Sequence, residues 1–388
     1  MTAVKLRGMT WDHRRAIDPL VGTLPMFRAQ FSHIEIEWLS RPLSGFEFTS
    51  VDTLAAEYDL IILDHPFAGA IAASHSLVPL DDLLSGGENQ FVGPSLDSYR
   101  MDGSLWAIPV DAACQVSASR PDLMQKLGNQ VPSNWTEVLA LGEAARREGL
   151  GLAIGLKGVH SLMTFFTLMA NVGTPCATRP QEEFADHRAA REVLAMMRDL
   201  LRFCPPNVLD WNSIELHDRM VSRDDLMFCP AVYCYATYAE ADQLKPLRFH
   251  NLPGPRGHAG STIGGTGLGV SASSRHRKEA LAYARFVSGV ETQRAFASLH
   301  GQPAHKQMWE DADVNQRFGG CYCDTRATIE ASWIRPRYDG YLAFQARGGE
   351  LVEAYLRGMI EETALLNELQ RLHAAAISRG AATASPRH

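Results

Sequence analysis

Blocks of like charge are missing from this 388-residue chain: its 37 lysines and arginines and 44 aspartates and glutamates, net −7 at pH 7, are interspersed along the sequence. Without a basic stripe it offers no electrostatic footprint for nucleic acid or an anionic membrane. Long hydrophobic runs are missing too. The longest, Leu162 to Ala170, contains Thr164 and Thr167 and falls short of the roughly 18 to 20 residues that cross a bilayer. No apolar leader precedes the alternating Val4-Lys5-Leu6-Arg7, so the expectation is a cytoplasmic chain if Met1 is the native start, and a periplasmic or extracellular one if a leader was removed. Cysteine is sparse: seven residues, an odd number over a long chain, which reads as mostly free thiols and leans toward a reducing compartment. Neither H-E-x-x-H nor paired C-x-x-C is present, and no metal is expected. A Walker phosphate loop and a G-x-S-x-G elbow are absent as well.

What is present is the composition of an ordinary globular protein, 46% hydrophobic and 21% charged, at a length where one core normally splits into two. Val4 to Thr10 reads as a strand. Ile17, Leu20, Val21, Leu24, Phe27 and Phe31 then recur at helical spacing behind an Asp18 cap and Pro19, with Pro25 interrupting. Ile34, Ile36 and Trp38 alternate with glutamates, and Leu60-Ile61-Ile62-Leu63 is a continuous apolar run of central-strand type. Strand, helix, strand, helix, strand predicts an α/β fold.

Asp102-Gly103 predicts a hairpin leading into the extended Ala107 to Val110. Pro132-Ser133-Asn134-Trp135 predicts a capped helix start, Leu152 to Leu156 a strand, and Leu162 to Asn171 a helix ended by Gly173. Val193 to Leu201 gives another helix and Met227 to Tyr235 another strand. The Leu252 to Gly257 Pro/Gly stretch reads as the returning connection, followed by a glycine-rich strand through Val270 and helices over Ala280 to Val287 and Thr292 to Leu299. A last helix carries Leu351 to Ile360, and Ser378 to His388 reads as a frayed end.

Several of these segments together resemble the extracellular solute-binding proteins of bacterial ABC importers, in the group similar to maltose-binding proteins. They are Asp102-Gly103-Ser104-Leu105-Trp106-Ala107-Ile108-Pro109-Val110-Asp111, Pro132 to Glu137, Leu252 to Gly257, Gly264 to Ser271, Phe286 to Gln293, and Gly301-Gln302-Pro303-Ala304. Each is weak alone; their order over roughly residues 1 to 345 carries the resemblance. It implies a two-lobed periplasmic-binding-protein-like clamp with a ligand cleft between the lobes, one lobe from 1–110 with 261–310 and the other from 111–260 with 311–388. It also implies a small polar ligand, a sugar, polyol or sugar acid, and the importer's membrane subunits as partners.

In α/β folds, ligands bind beyond the carboxyl ends of strands. Trp11, Asp12 and His13 follow the first strand, and Asp64 and His65 follow the Leu60 to Leu63 run. Carboxylates that accept from hydroxyl pairs and an aromatic face suit a carbohydrate; the same Asp-His pairs also suit helix capping, and ligand contact is the preferred reading of the two. Asp111 and His160 are placed near the cleft by the resemblance, with a buried structural histidine as the other reading of His160. Tyr233 and Tyr235 lie on the strand leaving the second lobe, where core packing competes with cleft lining. Gly265 and Thr266 belong to a strand-loop that lets backbone approach a ligand; Gly265-Thr266-Gly267-Leu268-Gly269-Val270 fails the dinucleotide pattern, and no cofactor is expected. Arg335, in Arg335-Pro336-Arg337, is a further candidate contact against a default surface salt bridge. A non-enzymatic binder is the preferred reading. The alternative is a cytosolic enzyme or sensor on the same fold, using His13, His65 and Asp64 with Asp12 for proton transfer.

Overall fold

The computed structural model describes residues 3–42, 49–84, 86–254 and 259–383. Pro255, Arg256 and Gly257 of the expected return turn lie outside the described residues, as do residues 384–388 of the expected frayed end. The chain divides into two compact units, Met1–Ala113 with Gly264–Asn315 and Cys114–Ile263 with Gln316–His388. The first two boundaries fall at the strands Ile108–Ser119 and Ile263–Val270.

The first unit is built on the strands Ile34–Arg41, Val4–Trp11, Leu60–Asp64 and the returning Ile263–Val270, in that spatial order. The first three are parallel, each joined to the next along the chain through helix, and the last is antiparallel, with Thr266 opposite Asp64 and Leu268 opposite Ile62. Leu60, Ile61, Ile62 and Leu63 are all buried, as a strand flanked on both sides requires. The hairpin at Asp102 and Gly103 forms with both residues at positive φ, 51° and 81°, the geometry that makes Asp-Gly the preferred pair in such turns.

One cap expected from sequence is displaced. The first helix starts not at Pro19 behind Asp18 but at Arg14, and runs Arg14–Gly22 with His13 as its cap. His13 Nδ1 accepts the Arg15 N–H at 3.1 Å, doing what a carboxylate oxygen would do. Pro19 therefore sits inside the helix. Pro25 does interrupt: a second helix, Leu24–Gln30, begins at its door.

The second unit pairs Gly151–Leu152, Leu226–Tyr233, the Cys114–Ser119 part of the long strand, and Arg248–His250. The expected strand over Leu152 to Leu156 is shorter than predicted: beyond Leu152 the segment stays buried but bonds irregularly, Ala153 N–H to Phe228 O and Leu156 N–H to Trp211 O. Asn134 caps the helix Trp135–Arg147 as expected, accepting the Glu137 N–H at 3.0 Å. The core gathers on the helix Val159–Asn171, where Phe165 and Phe166 meet Phe184, and Phe184 in turn meets Phe344 of the helix Tyr341–Leu356. The helix expected over Leu351 to Ile360 ends at Leu356, and a further helix, Glu362–Thr383, follows it and buries Leu365, Leu366 and Leu369.

Candidate functional site

Within the first unit, the carboxyl ends of the strands Val4–Trp11 and Leu60–Asp64, the early part of Ile108–Ser119 and the start of one helix bring charged groups together under cover. Arg15, in the first turn of the Arg14–Gly22 helix, faces Asp111 on the long strand. Its Nε donates to Asp111 Oδ2 at 2.7 Å and its Nη2 to Oδ1 at 2.5 Å, a two-point pair in which both side chains are only 5–7% exposed. Such a pair is directional as well as electrostatic. Burial pushes the Asp111 carboxyl up from its ordinary value, nearby Asp64 adds to that, and Arg15 and the Thr266 backbone N–H pull it back.

Thr10, Trp11, Arg15, Asp111, Thr266 and Gln302 share the wall of a cavity of about 10 Å³, room for about one water. The Thr10 and Thr266 hydroxyls are buried in that wall and have no hydrogen-bond partner among the described residues. A buried hydroxyl without a partner is costly, and both of these adjoin the one-water cavity beside the ion pair.

Gly265 carries the strand past Asp111 with φ at +99°, and a Cβ there would lie 2.3 Å from the Asp111 carbonyl oxygen. Gln302 fixes the strand that carries Asp111, its Nε2 donating to Ala112 O at 2.8 Å and its backbone carbonyl accepting from Ala112 N–H.

The first-unit candidates are thus only partly gathered. Trp11, Asp111 and Thr266 line one cavity with Arg15, while Asp64 is paired with Thr266 across the strands and Gly265 lies against the Asp111 backbone. Trp11 is 4% exposed, so its ring is enclosed, whereas Asp64 reaches solvent at its tip and accepts the His65 N–H at 2.9 Å. His65 is fully buried, edge-on to Tyr99 with ring centres 6.2 Å apart. Asp12 is exposed, and His13 is occupied as a cap.

In the second unit a separate polar group forms around His160, near the start of the Val159–Asn171 helix. Its Nδ1 lies 3.3 Å from Ser213 Oγ, and its ring is edge-on to that of Tyr233 at 6.4 Å. Arg335 is 5% exposed rather than at the surface, donating to Gln345 Oε1 at 2.7 Å and to Met163 Sδ at 3.1 Å. Tyr235 stands apart, packed on His217 with ring centres 5.9 Å apart.

Burial, assisted by Arg15 and Arg14, lowers the His13 pKa to about 4; burial, with Arg335 and Lys157 adding to it against Glu215, lowers that of His160 to about 4. Both rings are neutral when folded, while an unfolded histidine takes up its proton near pH 6.5. Their stabilising effect is therefore complete above about pH 6.5 and is lost as the pH falls toward 4. Unfolding by urea at pH 7 and pH 4.5 should show wild type losing on the order of 1 kcal/mol more than His160→Gln. Equal losses would show that His160 does not resist protonation.

Sequence reasoning missed Arg15. Its signal was positional: Arg15 shares a helix face with buried Ala16, Pro19 and Leu20, and an arginine on an apolar face needs a buried acid. Among the described residues no group of His, Cys, Asp and Glu suited to a metal ion occurs, and no helix is long and apolar enough to cross a membrane.

Solved structures share this α/β fold. The T. maritima MalE3 protein with maltose bound is similar at 19% identity, with 96% of this chain and 99% of that one covered and a TM-score of 0.81. An ABC transporter solute-binding protein from Thermotoga lettingae with bound α-D-tagatose gives 14%, 97%, 100% and 0.83. One from Agrobacterium vitis with bound D-mannitol gives 16%, 97%, 99% and 0.76. The fold is therefore the two-lobed α/β fold of the periplasmic binding proteins. Residues 49–317 match the model of the bacterial extracellular solute-binding proteins, and the chain belongs to that family.

Proposed function

We propose that this chain is the solute-binding component of an ABC-type importer, working outside the cytoplasm and delivering to membrane subunits a small polyhydroxylated ligand: a sugar, a polyol or a sugar acid. The observation that carries the ligand class is the Arg15–Asp111 pair with the Thr10 and Thr266 hydroxyls, which have no hydrogen-bond partner among the described residues, beside it and Asp64 at hand. Hydroxyls, a carboxylate and a guanidinium match the alternating donors and acceptors of a sugar rim. That relatives of the same fold hold maltose, tagatose and mannitol supports the same class. The polar group of His160, Tyr233 and Arg335 supplies further candidate contacts, and lobe closure is the conformational step by which such a ligand would be retained.

The test is a thermal-shift screen of maltose, tagatose, mannitol, ribitol and gluconate against amino acids. A true ligand at a hundredfold excess over its Kd adds about 2.7 kcal/mol, which raises Tm by roughly 5–10 °C. Asp64→Ala should then weaken that ligand about ten- to a hundredfold, the value of one hydrogen-bonding carboxylate. A response to amino acids alone would overturn the ligand class. Recovery of the ligand chemically altered, with the change abolished in His65→Ala, would replace binding by catalysis.

A further inference from the structure

Two cysteines distant in sequence meet inside the second unit. Cys234 follows the last residue of the strand Leu226–Tyr233, and Cys321 opens the helix Cys321–Glu330. They are 87 residues apart in sequence, and their sulfurs are 3.2 Å apart. Both side chains are buried, 4% and 1% exposed. The backbone fixes each end independently of the sulfurs: Cys234 N–H donates to Cys114 O at 3.2 Å, and Cys321 N–H to Phe318 O at 3.0 Å through Gly319 and Gly320, both at positive φ.

We propose that Cys234 and Cys321 are a disulfide-forming pair, joined when the chain folds in an oxidising compartment, and that the bond staples the end of the Leu226–Tyr233 strand to the helix Cys321–Glu330. An approach of roughly 1 Å, within reach of side-chain rotation, brings the sulfurs to the bonded distance of about 2.05 Å. The oxidant is a disulfide of the glutathione class. One cysteine thiolate attacks it, releasing one thiol and leaving a mixed disulfide; the second cysteine displaces the other thiol. The net change is two protein thiols and one small disulfide converted to one protein disulfide and two small thiols. Burial of both sulfurs means the exchange takes place during folding and that the finished bond is shielded from reductants.

The neighbouring thiols are poorer partners. Cys114 is held within the strand Ile108–Ser119, where Ser332 and Ser261 hydrogen-bond its thiol. Cys323 is exposed and donates to Gly320 O at 3.2 Å; two positions on from Cys321 it projects from another side of the helix.

The test is to refold the reduced, full-length chain in a buffer of reduced and oxidised glutathione, denature it, label thiols with N-ethylmaleimide and read the intact mass. Five of the seven cysteines should label, and proteolysis should yield one cross-linked pair containing Cys234 and Cys321. Closing a loop of this length should raise Tm by about 10 °C relative to protein kept in dithiothreitol. Cys321→Ser should label at six positions and lose that shift. Seven labelled cysteines in refolded wild type, or a link from either residue to Cys114 or Cys323, would overturn the proposal, and the wild-type mapping decides even if the variant fails to fold.

Discussion

Asp111→Ala is expected to cost the protein about 3–5 kcal/mol in urea unfolding, because it leaves the Arg15 guanidinium buried at 5% exposure with its two-point partner removed. The cost comes from the uncompensated charge, not from the attraction lost. The corollary is sharper than the single variant: Arg15→Met combined with Asp111→Leu removes both charges and should recover most of the loss, since apolar replacements of a buried pair are often neutral in stability. The same double variant should lose ligand altogether if the pair belongs to the binding surface. A single-variant cost below about 1 kcal/mol would mean that the two groups are solvated in solution and that the site is not organised around them.

Gly265→Ala should destabilise by about 3 kcal/mol, while Gly103→Ala, at a comparable positive φ, should cost only about 1 kcal/mol. The difference is collision. At Gly103 a methyl group meets nothing within 4 Å, so only the left-handed backbone is penalised. At Gly265 the methyl falls 2.3 Å from the Asp111 carbonyl oxygen and 2.8 Å from Ala112 Cα, and backbone has to move. Since the displaced backbone carries Asp111, the variant should also weaken ligand binding, which Gly103→Ala should not. Equal costs in parallel urea titrations would show that the strand around Asp111 yields without strain.

The sequence spoke most clearly where one physical demand dominated. Leu60 to Leu63 had to be an interior strand because four consecutive apolar residues suit nothing else so short, and Asn134 and Asp102-Gly103 carry side chains or backbone freedom that one local geometry uses best. It misled where two features competed. Asp18-Pro19 has the chemistry of a helix start, but His13 provides an acceptor nitrogen earlier, and the helix begins there in spite of the proline. At Leu152 to Leu156 apolarity reported burial correctly and hydrogen bonding incorrectly.

Within the candidate site, carboxylates, histidines and aromatics were legible as chemistry, whereas Arg15 was not, and Arg335 was legible as a candidate contact but not as a buried one. Arg15, Arg120 and Arg335 are all 5% exposed or less, and an isolated arginine in a sequence carries no mark of the partner that lets it be buried. For Arg120 that partner set is Asp122 and Asp224 with the carbonyls of Met220 and Arg223, most of it about a hundred residues away.

The pairing of Thr266 with Asp64 has a consequence for folding of the chain. The strand Leu60–Asp64 has one neighbour, Val4–Trp11, close by in sequence, whereas the other lies some two hundred residues away. Pairing across that separation is slow, because the intervening loop has to be closed first. Until Ile263–Val270 closes on it, an apolar strand edge is open to other unfolded copies of the chain, so the first unit folds best when those copies are kept apart.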